Sequence, residues 1–147
     1  MRTVRQLLNV RGRNVWTIAP DATVYDALKL MADKEIGALV VVEAGQVAGV
    51  ISERDYARKV ILKGKFSKDT LVREIMSSPV IAVRLEQTVE ECMALMSDKR
   101  IRHLPVIEND QLAGIVSIGD LVKEIISEQA FLIENLQAYI VGASPVR

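Results

Sequence analysis

Two short stretches of the chain, GVISERD (Gly49 to Asp55) and GIVSIGD (Gly114 to Asp120), each end in a serine followed three residues later by an aspartate. A carboxylate is an acceptor with room for several hydrogen bonds, and its charge makes those bonds strong. A serine hydroxyl both donates and accepts, and a helix starting beside it offers backbone amides to anions. Together these groups can grip a polar molecule. The same residues also make a helix cap. Caps exchange freely among Ser, Thr, Asp and Asn, so an unchanged Ser-x-x-Asp in two places favours the grip. One carboxylate has lone pairs enough for both uses.

The two stretches belong to a larger repeat. A shift of 65 positions aligns Val15–Ile61 with Val80–Ile126 without a gap, and about 17 of the 47 pairs are identical. In each unit Thr23 or Thr88 precedes apolar residues at helical spacing, Val24, Ala27, Leu28 and Met31, or Val89, Cys92, Met93 and Met96. The β-branched runs ALVVVE and HLPVIE read as strands. The turns Ala44-Gly45 and Asn109-Asp110 follow, then second strands QVAGVIS and QLAGIVS. A second helix is expected to open at Asp55 and at Asp120. Short extended pieces, VWTIA and VIAVR, precede each unit, and VRQLLN (Val4 to Asn9) resembles VREIMS (Val72 to Ser77) at a slightly different offset. The polar stretch KGKFSKDT, Lys63 to Thr70, reads as the linker. A small sheet with helices on one side leaves apolar surface bare, which two units bury against each other.

The totals exclude several classes of function. Half the residues are hydrophobic, as in a folded globular chain, and Lys+Arg equals Asp+Glu at 19 each. That balance argues against a dedicated nucleic-acid binder. Apolar runs such as Ala38 to Val42 are too short to span a bilayer, so no membrane role is expected. The start, MRTVRQLLNV, lacks the pattern of a signal peptide, and a cytoplasmic or organellar-interior location is expected. With one cysteine, Cys92, and one histidine, His103, neither a disulfide nor a metal site is expected.

The duplicated Gly-h-h-Ser-x-x-Asp (h, apolar), the Leu-Pro-Val at Leu104 to Val106 and the helix-strand-strand-helix order resemble the tandem CBS domain pair, or Bateman module. The resemblance covers Val4 to Ile126 and is nearest to small stand-alone bacterial CBS-pair proteins with no catalytic domain. It implies an α+β fold, sandwich-like, of two pseudo-symmetric CBS repeats, each a small sheet with packed helices, plus a long C-terminal helix. The expected units are 4–62, 72–126 and a helical extension at 127–142. The implied function is regulatory: adenosyl ligands such as AMP, ADP, ATP, NAD(H) or S-adenosylmethionine bind in two clefts between the repeats, and a partner protein receives the signal.

In such clefts Asp55 or Asp120 suits the two hydroxyls of a ribose, with Ser52 or Ser117 turned toward a phosphate. The motif of one repeat is expected to face the strand start of the other. The Asp55 cleft then collects Arg54, Ile101, Arg102 and His103, with Arg58 nearby, and guanidinium groups fork onto phosphate oxygens. The Asp120 cleft collects Ile36, Gly37, Ala38, Ser117 and Gly119, with almost no positive charge, which suits a less charged ligand. Adenine is expected against Ile36 or Ile101. The plain alternative has the arginines on solvated faces, paired with Glu53 or Glu35.

Beyond Asp120, LVKEIISEQAFLIENLQAYIVG keeps helical spacing for about six turns, with Gly142 as a stop. Its apolar residues exceed what one small unit can cover, so a homodimer is expected. No nucleophile–base pair or phosphate-binding glycine fingerprint is visible, and the chain is not expected to be an enzyme. The competing reading is a structural dimerisation module with vestigial clefts.

Overall fold

The computed structural model describes residues 2–140. Its first half runs α1 (Val4–Arg11), β1 (Thr17–Ile18), α2 (Val24–Lys34), β2 (Ala38–Glu43), β3 (Gln46–Ser52) and α3 (Glu53–Tyr56), which continues as a π-helical stretch, Ala57–Ile61. The second half runs α4 (Val72–Ile75), α5 (Val89–Lys99), β4 (His103–Glu108), β5 (Gln111–Ser117) and α6 (Ile118–Ile140). These mixed helices and small sheets are the expected α+β arrangement of two repeats with a long last helix.

Local chemistry sets the ends of the elements. The side chains of Thr23 and Thr88 accept from the Asp26 and Glu91 amides and cap α2 and α5. Val24, Ala27 and Met31, and likewise Val89, Cys92 and Met96, form the buried stripes of these helices. Both helices stop at a residue in the left-handed region, Glu35 and Arg100, each at φ 55°, which costs about 1 kcal/mol for a non-glycine residue. The hairpins β2–β3 and β4–β5 turn on Ala44-Gly45 and Asn109-Asp110, all four with positive φ. Two such residues in a row suit the right-handed twist of the strands.

β1 pairs in parallel with β2 and completes a three-stranded sheet, whereas β4 and β5 form a sheet of two. At the position matching β1, the second repeat keeps one bridge, Val83 to Val106. Pro105 explains the loss. Its counterpart Val40 donates its N–H to the Trp16 carbonyl at 3.2 Å, and proline has no N–H to give.

The second helix of each repeat begins two residues earlier than the sequence suggests. Ser52 is the N-cap of α3, and Asp55 sits at its third position in a capping box. α6 starts at Ile118, with Ser117 and Asp120 placed the same way. α6 runs unbroken through 127, so the expected extension is continuous with it; Gly142 lies outside the described residues. The linker is anchored: the Ser67 and Thr70 carbonyls accept from the Tyr25 and Val24 amides at the start of α2.

The leading segments pack crosswise. Val4, Leu7 and Leu8 of α1 are buried with Val83, Leu85, Val89, Leu104 and other second-repeat residues. Val72 and Ile75 of α4 are buried with Val24, Met31, Leu39 and Ile51 of the first repeat. Backbone bonds fix both crossings: the Val4 amide donates to Gln87, and the Val24 amide to Thr70. This explains the repeated glycines. A Cβ on Gly49 would lie 2.7 Å from the Ser77 carbonyl oxygen, and one on Gly114 would lie 3.1 Å from Leu8. Each glycine makes room for the crossing leader.

Candidate functional site: two clefts between the repeats

The helix ends at Glu35 and Arg100 and the hairpin registers together position the clefts. After each left-handed residue the next amide, Ile36 or Ile101, bonds back to Met31 or Met96 at 3.0 and 3.1 Å. The following residues then enter β2 or β4, where Ala38 lies opposite Ser52 and His103 opposite Ser117. The first amide of each second helix ties this corner down: Glu53 donates to the Gly37 carbonyl at 3.1 Å, and Ile118 to Arg102 at 2.9 Å.

The first cleft is a cavity of about 410 Å³. Ser52, Arg54 and Asp55 of the first repeat line it together with Ile101, Arg102 and His103 of the second, and Gly37 lines it too. The cavity also takes Arg58, Lys59 and Arg100, so five basic side chains outweigh the acidic pair Glu53 and Asp55. Among the described residues, no carboxylate pairs with Arg54, Arg58, Arg100 or Arg102. The pairing of these arginines with Glu53 or Glu35 is therefore not what the structure shows. Unpaired guanidinium groups around a concave wall focus a positive potential into it.

The Asp55 carboxylate is partly engaged. Its Oδ2 accepts from the Ser52 amide at 2.9 Å and from the Ser52 hydroxyl at 3.0 Å, while Oδ1 meets Lys59 Nζ at 3.1 Å. Lys59 also donates to the Ile75 carbonyl at the end of α4. The Ser52 hydroxyl accepts in return from the Asp55 amide. Both its proton and that amide are thus used within the cap, which corrects the expectation that Ser52 turns its hydroxyl toward a phosphate. Lys59 was missed by the sequence reading, although its i+4 spacing from Asp55 on a helix is a recognisable signal.

The second cleft, about 450 Å³, is lined by Ile36, Gly37, Ala38, Ser117 and Ile115, and by Arg11 and Trp16 from the leader and β1 region. Gly119 lines neither cavity. Asp120 also lines neither, but its Oδ2 accepts from the Ser117 amide at 2.9 Å and from Arg11 Nε at 2.8 Å, and both of those residues line the second cavity. The expectation of almost no positive charge is thereby amended by one residue: α1 crosses to the second repeat and delivers the Arg11 guanidinium onto Asp120, with Glu35 also on the cavity wall.

His103 and Gly37 line both cavities. Burial, before any other influence, pushes the His103 pKa down; Asp120 pulls it up, and Arg102 and Arg11 add to the lowering. Near neutral pH the imidazole is thus an uncharged donor and acceptor. Cys92 is buried in the core with its pKa raised to about 11, chiefly by desolvation, so its thiol is unreactive. Among the described residues no cluster of three or more His, Cys, Asp or Glu side chains is placed to hold a metal, and no helix is long and apolar enough to cross a membrane.

Comparison with known proteins places this architecture. The CBS domain profile matches residues 4–62 and 72–127. The chain is 42% identical to the mitochondrial CBS domain-containing protein CBSX3 of Arabidopsis thaliana, over 95% of this chain and 72% of that protein. A solved CBS-domain protein from Burkholderia ambifaria MC40-6 is 50% identical, with a TM-score of 0.83 over 87% of this chain and 96% of that one. The CBS domain pair of protein MJ0100, solved with 5'-methylthioadenosine and S-adenosyl-L-methionine, shares the fold at 23% identity, with a TM-score of 0.78 over 87% of this chain and 98% of that one. With both repeats matched and the fold shared, this chain belongs to the CBS-domain family and is built as a tandem pair.

Proposed function

We propose that the chain is a regulatory, non-catalytic module that senses adenosyl nucleotides, AMP, ADP, ATP or NAD(H), in the two inter-repeat clefts. The observation that carries this reading is the first cleft. There a carboxylate from one repeat faces arginines from the other, unpaired with any carboxylate among the described residues, across a cavity of nucleotide size. Asp55 offers its remaining lone pairs to ribose hydroxyls, and Arg54 and Arg102 offer forked donors to phosphate. Ile101 and Ile81 supply apolar wall for a base. The adenosine-containing ligands of the MJ0100 pair support the ligand class.

Such a sensor belongs where free nucleotides circulate, in the cytoplasm or an organelle interior. The α6 face carrying Leu132, Ile133, Leu136 and Tyr139 is more than half exposed. It fits a second copy of the chain, and a homodimer would present the clefts to the regulated protein. Isothermal titration with AMP, ATP and NADH tests the reading; the absence of heat with every adenosyl compound would sink it.

One observation favours the second reading, a structural dimerisation module. Both aspartates already serve capping boxes, so Ser-x-x-Asp has a local purpose in each repeat. On that reading Asp55→Asn changes thermal stability and no ligand affinity.

A further inference from the structure

Resting on the nucleotide reading above, we propose that Arg11 is the anion-recognising residue of the second cleft, which therefore takes a phosphorylated nucleoside in preference to a neutral one. Glu124 stands at the position matching Lys59 and is itself engaged, 7% exposed and 2.7 Å from Arg2 Nε. Asp120 thus has no counterpart of Lys59 on its own helix. Its cation is the last residue of α1, brought across from the leader.

Arg11 is held in a way that leaves it useful. Nε donates to Asp120 Oδ2, and Nη1 donates to the Gly12 carbonyl at 3.2 Å and more distantly to that of Asn14. Nη2 donates to none of the described residues. Asp120 Oδ1 and the Ser117 hydroxyl proton likewise make no hydrogen bond among them. Two unfilled donors therefore belong to the cavity wall, the Ser117 hydroxyl and the guanidinium edge of Arg11, and Asp120, which carries the unfilled acceptor, is bonded to both residues; Glu35 is the one carboxylate on that wall.

Charge decides which ligand they suit. The Arg11 side chain is 27% exposed and that of Asp120 18%. A neutral nucleoside that draws Asp120 toward its ribose weakens the ion pair and leaves a largely buried guanidinium without a full counter-charge, which is costly. A ligand carrying its own phosphate replaces that charge in the same step. The end of α1 at Arg11, followed by Gly12 at φ 98°, leaves the side chain at a helix terminus, where it can turn from Asp120 to the phosphate.

Trp16 gives a cleft-specific readout, because it is the one tryptophan of the chain and lines this cavity and not the first. The experiment titrates AMP and adenosine, in parallel, into the wild type, Arg11→Gln and Arg11→Lys, following Trp16 fluorescence and calorimetric heat. The wild type is expected to prefer AMP over adenosine at Trp16 by about tenfold or more. Arg11→Gln should bring that ratio near one, and Arg11→Lys should restore part of it. Binding with an unchanged ratio in Arg11→Gln overturns the assignment while leaving the nucleotide reading intact. No binding of either compound by the wild type, by heat or by fluorescence, overturns this assignment, and the same silence with ATP and NADH overturns the nucleotide reading with it.

Discussion

Lys59 and Glu124 occupy the same position in the two repeats and carry opposite charge: Lys59 grips Asp55 on its own helix, whereas Glu124 grips Arg2 of the leading segment. The exchange makes the clefts chemically unequal while the hairpin registers and helix caps that build them stay alike. The first keeps five basic side chains at its wall; the second draws its one arginine from α1.

That inequality predicts a ranking. ATP, with the most charge, should be held most tightly at the first cleft. Arg102→Ala should weaken ATP binding about tenfold more than Asp120→Ala does, a difference of about 1.4 kcal/mol. Calorimetry on the two variants checks it, and equal losses would contradict the assignment of the clefts.

The repeated glycines are expected to respond differently to alanine. At Gly49 the new Cβ meets the Ser77 backbone oxygen at 2.7 Å, which yields only if the backbone following α4 shifts. Overpacking of that kind costs about 1–3 kcal/mol. At Gly114 the neighbour is the Leu8 side chain, which can give way. Urea denaturation should therefore show Gly49→Ala to be the more destabilising of the two; the opposite order would refute the crossing-leader explanation.

His103 gives a pH dependence with a defined sign. Its pKa is lowered in the folded chain, so the unfolded chain binds the proton more readily. Stability from the neutral imidazole is complete above its usual value of 6.5 and is lost as pH falls below it. The wild-type Tm should drop more between about pH 7.5 and about pH 5.5 than that of His103→Asn. Parallel slopes would show that the imidazole is not the group responsible.

Self-association through α6 is expected to be sensitive to a single charge. Leu136 is 61% exposed in the isolated chain, so Leu136→Glu should leave the far-ultraviolet dichroism unchanged. Sedimentation should show its dimer dissociating at concentrations at least about tenfold higher than for the wild type. A wild type that sediments as a monomer at every concentration would remove α6 as a self-association face.

Local chemistry was legible in the sequence and long-range pairing was not. Thr23 and Thr88 announce their helices, the Asn109-Asp110 turn announces its hairpin, and the 65-residue repeat announces that the halves share a fold. Ser52, Arg54, Asp55, Ile101, Arg102 and His103 do line one cavity. The crossing of the leaders left no periodic trace, because VRQLLN and VREIMS sit 68 positions apart while the repeats sit 65 apart. Arg11 was hidden by that offset, since its place in the second cleft depends on which core α1 enters. The helix starts were misread by two residues because an aspartate at the third position and one at the cap look alike in sequence.

The crossing of α1 and α4 also fixes what a shorter chain could do. One repeat with its own leader has an open core and a loose helix that fits only the opposite repeat. Two such half-length chains would close by trading leaders, as a domain-swapped pair about a true two-fold axis. The present molecule is that exchange written into one polypeptide. Its halves should accordingly melt together in one cooperative transition.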